Sequence, residues 1–424
     1  MSSFQHPQLA VPPPLMMSEP GTFAHLTLTQ RWPAIAQRTI AENEFSSNIV
    51  TNLETLVREL FEGKIRLLED DYAADQAEWT TYLHPYLDRP WLEVPWFLAE
   101  VYFYRRFLEA TQYFQPGAWQ GFDPFYTQKH TGLVTSLEKV RAVSSQIDSL
   151  HQSSDRSKTD VVSEAHVVLL LHNALWGNQA DLSLKPTVDL VFQSDAGSEQ
   201  EQTQKTHVLV DDTDKLLEWL TKQGKERSHR IDIVADNAGF ELVCDLYLID
   251  WLLKPTPFTV YLHLKTHPTF VSDATIADVH HTLTVLSNDG EVNVQNLAER
   301  LRNYVAIGRL QLEADPYWVS PLALWQLPQR LYRELSQSDL IILKGDANYR
   351  RLLGDCHWPF TTRFEAIACY SPSPLLALRT LKSEIIAGLQ PEQIELLNQT
   401  DPNWLTSGEW GVIQFANFPH LTLQ

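Results

Sequence analysis

Ile231-Asp232-Ile233-Val234-Ala235-Asp236-Asn237-Ala238-Gly239-Phe240-Glu241 is the stretch on which the fold assignment turns. An apolar run of strand length stops at two polar residues and a glycine, and Leu242 to Leu253 then continues as an apolar stretch of helical length. In an open α/β sheet, ligands collect just beyond the carboxyl ends of strands, which is where Asp236 and Asn237 fall. Adjacent hard oxygen donors at such a place suit Mg²⁺ or Mn²⁺ better than zinc, which favours His and Cys. A strand-to-helix turn with Asp or Asn as its N-cap accounts for the same residues without a ligand.

Two further segments repeat the pattern. Thr259 to Leu264 leads into Lys265-Thr266-His267-Pro268-Thr269-Phe270-Val271-Ser272-Asp273, and Leu340 to Leu343 leads into Lys344-Gly345-Asp346-Ala347-Asn348-Tyr349-Arg350. Asp273 would complete an oxygen-rich metal site with Asp236 and Asn237, and Lys265 is placed to meet an anion. Ser272-Asp273 as the start of the next helix is the alternative. In the third segment, a glycine that lets backbone approach closely, amides at a helix N-terminus and the cations Lys344 and Arg350 would make a phosphate cradle. It is not a P-loop, because GxxxxGK[ST] is absent. A fourth segment, Ala377-Leu378-Arg379-Thr380-Leu381-Lys382, reads as helical, with Arg379 and Lys382 three apart on one face. A solvated surface turn is the other reading.

With Val208 to Val210 as another short β-rich run, strands alternate with helical stretches, which predicts crossover connections. The expected fold is α/β, a mostly parallel sheet sandwiched by helices in a Rossmann-like three-layer core, over residues 161–424. Residues 23–160 are expected to form an all-helical domain, since apolar residues recur at helical spacing, as in Ile49, Leu53, Leu56, Val57 and Leu60. Within it, Trp91 to Phe114 is dense in aromatics and holds Glu100, Arg105 and Arg106. These charges either pair within a buried helix or face a substrate. Residues 1–22, with Pro12-Pro13-Pro14 and Pro20-Gly21, predict an extended arm that contributes no core. Gln193 to Lys205 reads as an exposed loop.

The 33 basic and 53 acidic residues give a net charge of -20, which repels nucleic acid or an anionic membrane unless a local patch overrides it. An anionic ligand therefore requires cations concentrated in a site. Hydrophobic residues at 44%, with 13 tryptophans, suffice for a large core. Cys244, Cys356 and Cys369 have no CxxC spacing and fit a reducing cytoplasm. The N-terminus has no charged region followed by an apolar one, and the longest apolar run, near Val167 to Leu171, is far short of a membrane span. No protein partner is evident.

Taken together, DNAGFE at Asp236 to Glu241, KGDANYR at Lys344 to Arg350 and RTLK at Arg379 to Lys382 resemble the metal-dependent damage-control phosphatases. The similarity is to the subfamily with an RTxK motif near the C-terminus, which includes the acidic residue methyltransferase proteins. It extends over nearly the whole chain, including Gly21-Thr22-Phe23-Ala24, Trp96 to Arg106, Leu175-Trp176-Gly177-Asn178 and Asp181-Leu182-Ser183.

That resemblance implies Asp236, Asn237 and Asp273 as metal ligands, with Asp346, Ala347, Asn348, Tyr349, Arg350 and Lys382 holding a sugar phosphate. Asp236, Asp273 and Lys382 would be the catalytic groups. It implies Mn²⁺, Ni²⁺ or Co²⁺, with Mg²⁺ a further candidate, and substrates such as fructose 1-phosphate or fructose 6-phosphate. Relatives have also been described as S-adenosylmethionine-dependent methyltransferases acting on protein carboxylates, with positions equivalent to Glu241 and Asp273 assigned to that cofactor. No GxGxG loop follows any predicted strand here. A catalytically silent sugar-phosphate or metal-binding module is the third reading.

Overall fold

The computed structural model describes residues 6–153, 164–181, 207–222, 229–254 and 258–418. The Gln193 to Lys205 segment and Leu182-Ser183 lie outside the described residues. Strands β1 (Val208–Asp211), β2 (His229–Val234), β3 (Phe258–Leu264), β4 (Leu310–Ala314), β5 (Leu340–Lys344), β6 (Leu375–Thr380) and β7 (Gly411–Ala416) form one sheet in the order β1-β7-β6-β5-β2-β3-β4. Strands β2 to β6 run parallel. β7 is antiparallel to β6, and β1 runs parallel to β7. The α/β sheet flanked by helices is thus present, with a reversed pair at one edge.

Alternation along the strands divides the core in two. Val234, Ile341, Leu343, Ala377 and Val412 point to one face and share a core with Trp32, Leu53, Trp96 and Phe103 of the N-terminal helices. Ile231, Ile233, Ile342, Leu376 and Ile413 point to the other, beneath the Glu164–Asp181, Phe240–Leu253 and Val292–Ala306 helices. The Phe240–Leu253 helix is apolar almost all round and buried almost all round, as expected of a helix in the interior of an α/β layer.

The N-terminal helical region is present, with helices at Trp32–Glu42, Ser47–Glu62, Gln76–Leu83, Trp96–Ala110, Tyr126–Thr135 and Leu137–Ser153. Its apolar side continues into the sheet rather than closing on a core of its own. The Pro-rich arm departs from expectation. Leu15 and Met17 are buried, and the backbone around them pairs with Asp355, Val94 and Trp96. Proline fixes the arm in an extended form, and the apolar residues that follow the prolines use that form to enter the core.

The helical reading of the fourth segment is corrected. Arg379 lies in strand β6, one residue before its end at Thr380, and Lys382 lies in the loop beyond it, so they share no helix face. A short apolar run buried on both faces carries no period to separate strand from helix, and here the sheet claims it. Strands β6 and β7, buried throughout, were not anticipated for the same reason, and neither was the short, half-exposed edge strand β4.

Candidate active site

After β4 the chain crosses back to lay β5 on the opposite side of β2 from β3. The strand order therefore reverses between β2 and β5, and a crevice opens at their carboxyl ends. Asp236 follows β2 and Gly345 follows β5 at that point. Gly345 has φ +82°, and a Cβ there would stand 1.9 Å from Asp236 Oδ2. Glycine is required on both counts, and the carboxylate of Asp236 fills the space a side chain would take.

The β3 loop closes onto the β2 loop by backbone pairing. Ala238 N donates to Ser272 O at 2.7 Å, Ala274 N to Asp236 O at 2.8 Å, and Asn237 and Asp273 form an antiparallel bridge. Asn237 and Asp273 are thereby held side by side and line the same cavity. Ser272 Oγ donates to Asn237 Oδ1 at 2.5 Å, while Asn237 Nδ2 donates to Asp236 Oδ2 at 2.8 Å and Glu241 Oε2 at 2.9 Å. Asn237 Oδ1 keeps a second lone pair. Immediately before Ser272, Phe270 and Val271 have φ of +49° and +69°; for a β-branched residue this is strained backbone, beside the candidate ligand.

Burial, followed by the charges of Glu241 and Asp273, raises the pKa of Asp236 well above the ordinary range. Burial also pushes Asp273 up to about 6, although Lys265 Nζ stands 3.3 Å away and opposes it. Lys265 is itself lowered by burial. The Asp273 Oδ2 atom is buried, and the Lys265 ammonium at 3.3 Å is its ion-pair partner. Negative charge thus outweighs its local compensation, and the donors are two carboxylates and an amide oxygen. That set fits a hard divalent cation. Among the described residues no three His, Cys, Asp or Glu side chains group as a metal centre, so the fit depends on counting Asn237.

The cavity has a volume of about 750 Å³. Asp346, Ala347, Arg350 and Lys382 line it, as do Asp236, Asn237, Asp273 and Glu100. Asp346 lies in the first turn of the Gly345–Leu353 helix and accepts from Arg379 Nε at 2.8 Å and Ser383 Oγ at 3.0 Å. Burial opposes its ionisation, but Arg379 and Arg350 prevail and lower its pKa. The backbone N of Lys382 donates to the same carboxylate at 3.3 Å. Asp346 therefore positions the RTxK loop against the cavity. Arg350 meets Glu100 at 2.5 Å and Asp355 at 2.7 Å, and lies 3.5 Å from the Trp96 ring centroid.

Other expected contacts lie elsewhere. Lys344 does not line the cavity; its ammonium is taken up by Ala174 O, Glu241 and Asp245. Burial opposes its charge, but these carboxylates overcome that and raise its pKa. Asn348 donates to Ala235 O and Lys344 O, tying β2 to β5, and Tyr349 donates to Gln414. Arg379 acts behind Asp346 and also bonds Ile385 O and Ser383. Arg105 pairs with Asp70 and Asp75, and Arg106 with Glu59 and Glu109. These two arginines are structural, as a buried charged helix requires. Glu241 braces Asn237 and Lys344.

Sequence reading missed cavity residues from the helical region: Arg31, Tyr104, Gln128 and Lys129. Lys129 pairs with Asp123 and Asp278, both at 2.9 Å. Its partner Asp278 lies 149 positions away, and no local pattern marks such a contact.

A crystal structure of a DUF89 family protein from Pyrococcus horikoshii aligns with a TM-score of 0.46 at 16% identity, covering 84% of this chain and 91% of that one. The chain is 33% identical over 439 residues to the damage-control phosphatase ARMT1 of Bos taurus, covering 95% of this chain and 98% of the relative. It is 32% identical to the human protein of that name, covering 96% and 98%, and 31% identical to the rat one, covering 95% and 98%. The family model described as damage-control phosphatase ARMT1-like domain matches residues 27–397, a span that contains every residue lining the cavity except Phe23, Thr406 and Ser407. By that family model, which spans most of the chain, and by these identities over nearly its whole length, the chain belongs to the damage-control phosphatase ARMT1-like family.

Proposed function

We propose that this chain is a metal-dependent phosphatase that hydrolyses phosphate monoesters of small sugars, of which fructose 1-phosphate and fructose 6-phosphate are examples. Its relatives carry the name phosphatase, and the observation that supports the finer reading is the meeting of two sets of residues. Asp236, Asn237 and Asp273 face the same cavity as Asp346, Arg350 and Lys382, across the β2–β5 switch point. A divalent cation held by Asp236, Asn237 and Asp273, whether Mn²⁺, Co²⁺, Ni²⁺ or Mg²⁺, would supply Lewis-acid polarisation of a phosphoryl oxygen.

The protein's own groups account for the remainder of the proposal. Lys382 neutralises phosphoryl oxygens, with Arg350, held beside it by Glu100 and Asp355, as a supporting positive charge, and charge neutralisation with positioning can provide most of the catalysis for so diffuse a transition state. Asp346 fixes Lys382 through its backbone amide and through Arg379. Ser272 and Glu241 orient the amide of Asn237. Gly345 lets Asp236 stand against the phosphate loop.

Methyl transfer from adenosylmethionine is less well supported. Of the two residues that reading assigns to the cofactor, Asp273 lines the cavity, but Glu241 is buried, bonded to Asn237 and Lys344, and does not line it. The deciding experiment is hydrolysis of p-nitrophenyl phosphate and fructose 1-phosphate by chelated protein, with each metal restored in turn. Turnover that requires added metal and is lost in Asp236→Ala and Lys382→Ala is expected. Near-normal turnover by either variant contradicts the assignment, and phosphate binding without turnover indicates a silent module.

No helix among the described residues is long and apolar enough to cross a membrane. A cytoplasmic location remains part of this proposal, resting on cysteine usage.

A further inference from the structure

Arg31 stands apart from the other cations of the cavity. Arg350 is committed to Glu100 and Asp355, Lys129 to Asp123 and Asp278, and Arg38 to Glu42. Among the described residues, the Arg31 guanidinium meets the hydroxyl of Thr27 at 3.1 Å and the face of Phe23 at 4.5 Å, and no carboxylate. Only one of its five N–H donors is occupied by the Thr27 contact. The residue is exposed and lines the cavity.

Its placement is rigid for identifiable reasons. Thr27–Arg31 is a π-helical turn between two α-helical segments, a widening that recurs at functional sites because it turns a side chain out of helical register. Pro33, the second residue of the Trp32–Glu42 helix, stands in its first turn, where its missing N–H costs nothing. Trp32 is fully buried and stacks on Phe103 at 4.6 Å between centroids. The backbone carrying Arg31 is therefore anchored by its neighbour. Phe23, beneath the guanidinium, packs edge-on against Trp96, whose ring lies under Arg350. Two aromatic rings thus connect the rim cation to the cation beside the phosphate loop.

An acidic chain of net charge -20 opposes the approach of a phosphate ester, and the inner cations are largely matched by carboxylates. A preorganised cation at the rim without an acidic partner offsets that field where an anion enters. We propose that Arg31 is a substrate-recognition residue that captures the phosphate group at the cavity rim and contributes to ground-state binding rather than to the chemical step. It distinguishes phosphorylated sugars from their uncharged parents. This inference rests on the phosphatase reading for its substrate, but its anion-binding core can be measured without turnover.

The test uses the full chain, metal-loaded, with Arg31→Gln and Arg31→Lys. Because Arg31 is exposed, both variants should fold, and thermal denaturation checks this. With p-nitrophenyl phosphate and fructose 1-phosphate, Arg31→Gln should raise KM roughly five- to tenfold with kcat within about twofold, and Arg31→Lys should recover part of the loss. Added salt should raise the wild-type KM more than that of Arg31→Gln, which a merely structural role would not produce. Inorganic phosphate, titrated by calorimetry, should bind the Gln variant several-fold more weakly than wild type. Wild type that turns over normally while Arg31→Gln matches it in KM and phosphate affinity, or loses kcat at unchanged KM, overturns the role of Arg31 and leaves the phosphatase reading in place. Wild type that hydrolyses no ester but binds phosphate in an Arg31-dependent way removes the phosphatase reading and upholds Arg31. Failure of wild type to do either overturns both.

Discussion

Replacing Gly345 by alanine tests the contact that joins the two halves of the site. The backbone there has φ +82°, a conformation that costs an L-residue roughly 1–2 kcal/mol. The added Cβ would lie 1.9 Å from Asp236 Oδ2, 2.1 Å from its Cγ and 2.6 Å from its Cβ. To restore ordinary van der Waals separation, the carboxylate has to retreat by about 1.5 Å. A misplacement of ~1 Å in a catalytic constellation can cost ~100-fold in rate, so Gly345→Ala should lose about two orders of magnitude in kcat/KM. Its stability should fall by about 1–3 kcal/mol. Gly354→Ala is the matched control. It too has positive φ, at +67°, and its Cβ would strike Trp325 at 1.8 Å, but it caps the far end of the same helix. Metal-supplemented p-nitrophenyl phosphate kinetics and thermal denaturation of both variants should show comparable destabilisation, with activity lost in Gly345→Ala alone. If Gly345→Ala kept activity within about threefold of wild type, or if Gly354→Ala lost as much, the clasp between Asp236 and the phosphate loop would not be what positions the site.

Other expectations follow from the same geometry. Arg379→Met leaves Asp346 without its Nε partner and should loosen the Lys382 loop, lowering kcat roughly tenfold while metal affinity, read by calorimetry, stays unchanged. Lys344→Met leaves Glu241 and Asp245 buried without their cation and should destabilise the fold by about 3–5 kcal/mol, measured by denaturant unfolding; a small cost would show that the pair is not a structural requirement. Burial lowers the pKa of His267 to about 4, so the fold holds the neutral ring. Stability from this group is present above the unfolded value and is lost as pH falls from about 6.5 toward about 4, amounting to about 2 kcal/mol at pH 5. His267→Leu should flatten the wild-type stability profile in that window, and an unchanged slope would refute the assignment.

How much was legible follows from what kind of contact each feature needs. The three strand–loop–helix segments are contiguous in sequence, so Asp236, Asp273 and Asp346 could be placed at strand ends from local pattern alone. The meeting of Asn237 with Asp273 was an expectation, and backbone pairing between their loops produces it. Lys344 illustrates the limit. Its position at a strand end suggested an anion, but Glu241 and Asp245, one helical turn apart on the Phe240–Leu253 helix, take its charge. Only tertiary packing shows that this helix face lies against the end of β5. Arg379 was misread because Leu375 to Leu378 is apolar on both faces and lacks a period. Leu15 and Met17 were assigned to a coreless arm because proline-rich composition describes the backbone and not what its neighbours bury. Arg31 and Lys129 had no motif, and their place in the cavity comes from helices brought over the sheet.

Calorimetric titration of chelated protein with Mn²⁺ tests the central claim most directly, because it requires no substrate. One-to-one binding is expected, weakened at least roughly tenfold in both Asp236→Asn and Asp273→Asn, with the fold retained. Binding of unchanged affinity in both variants, or none in the wild type, would contradict it.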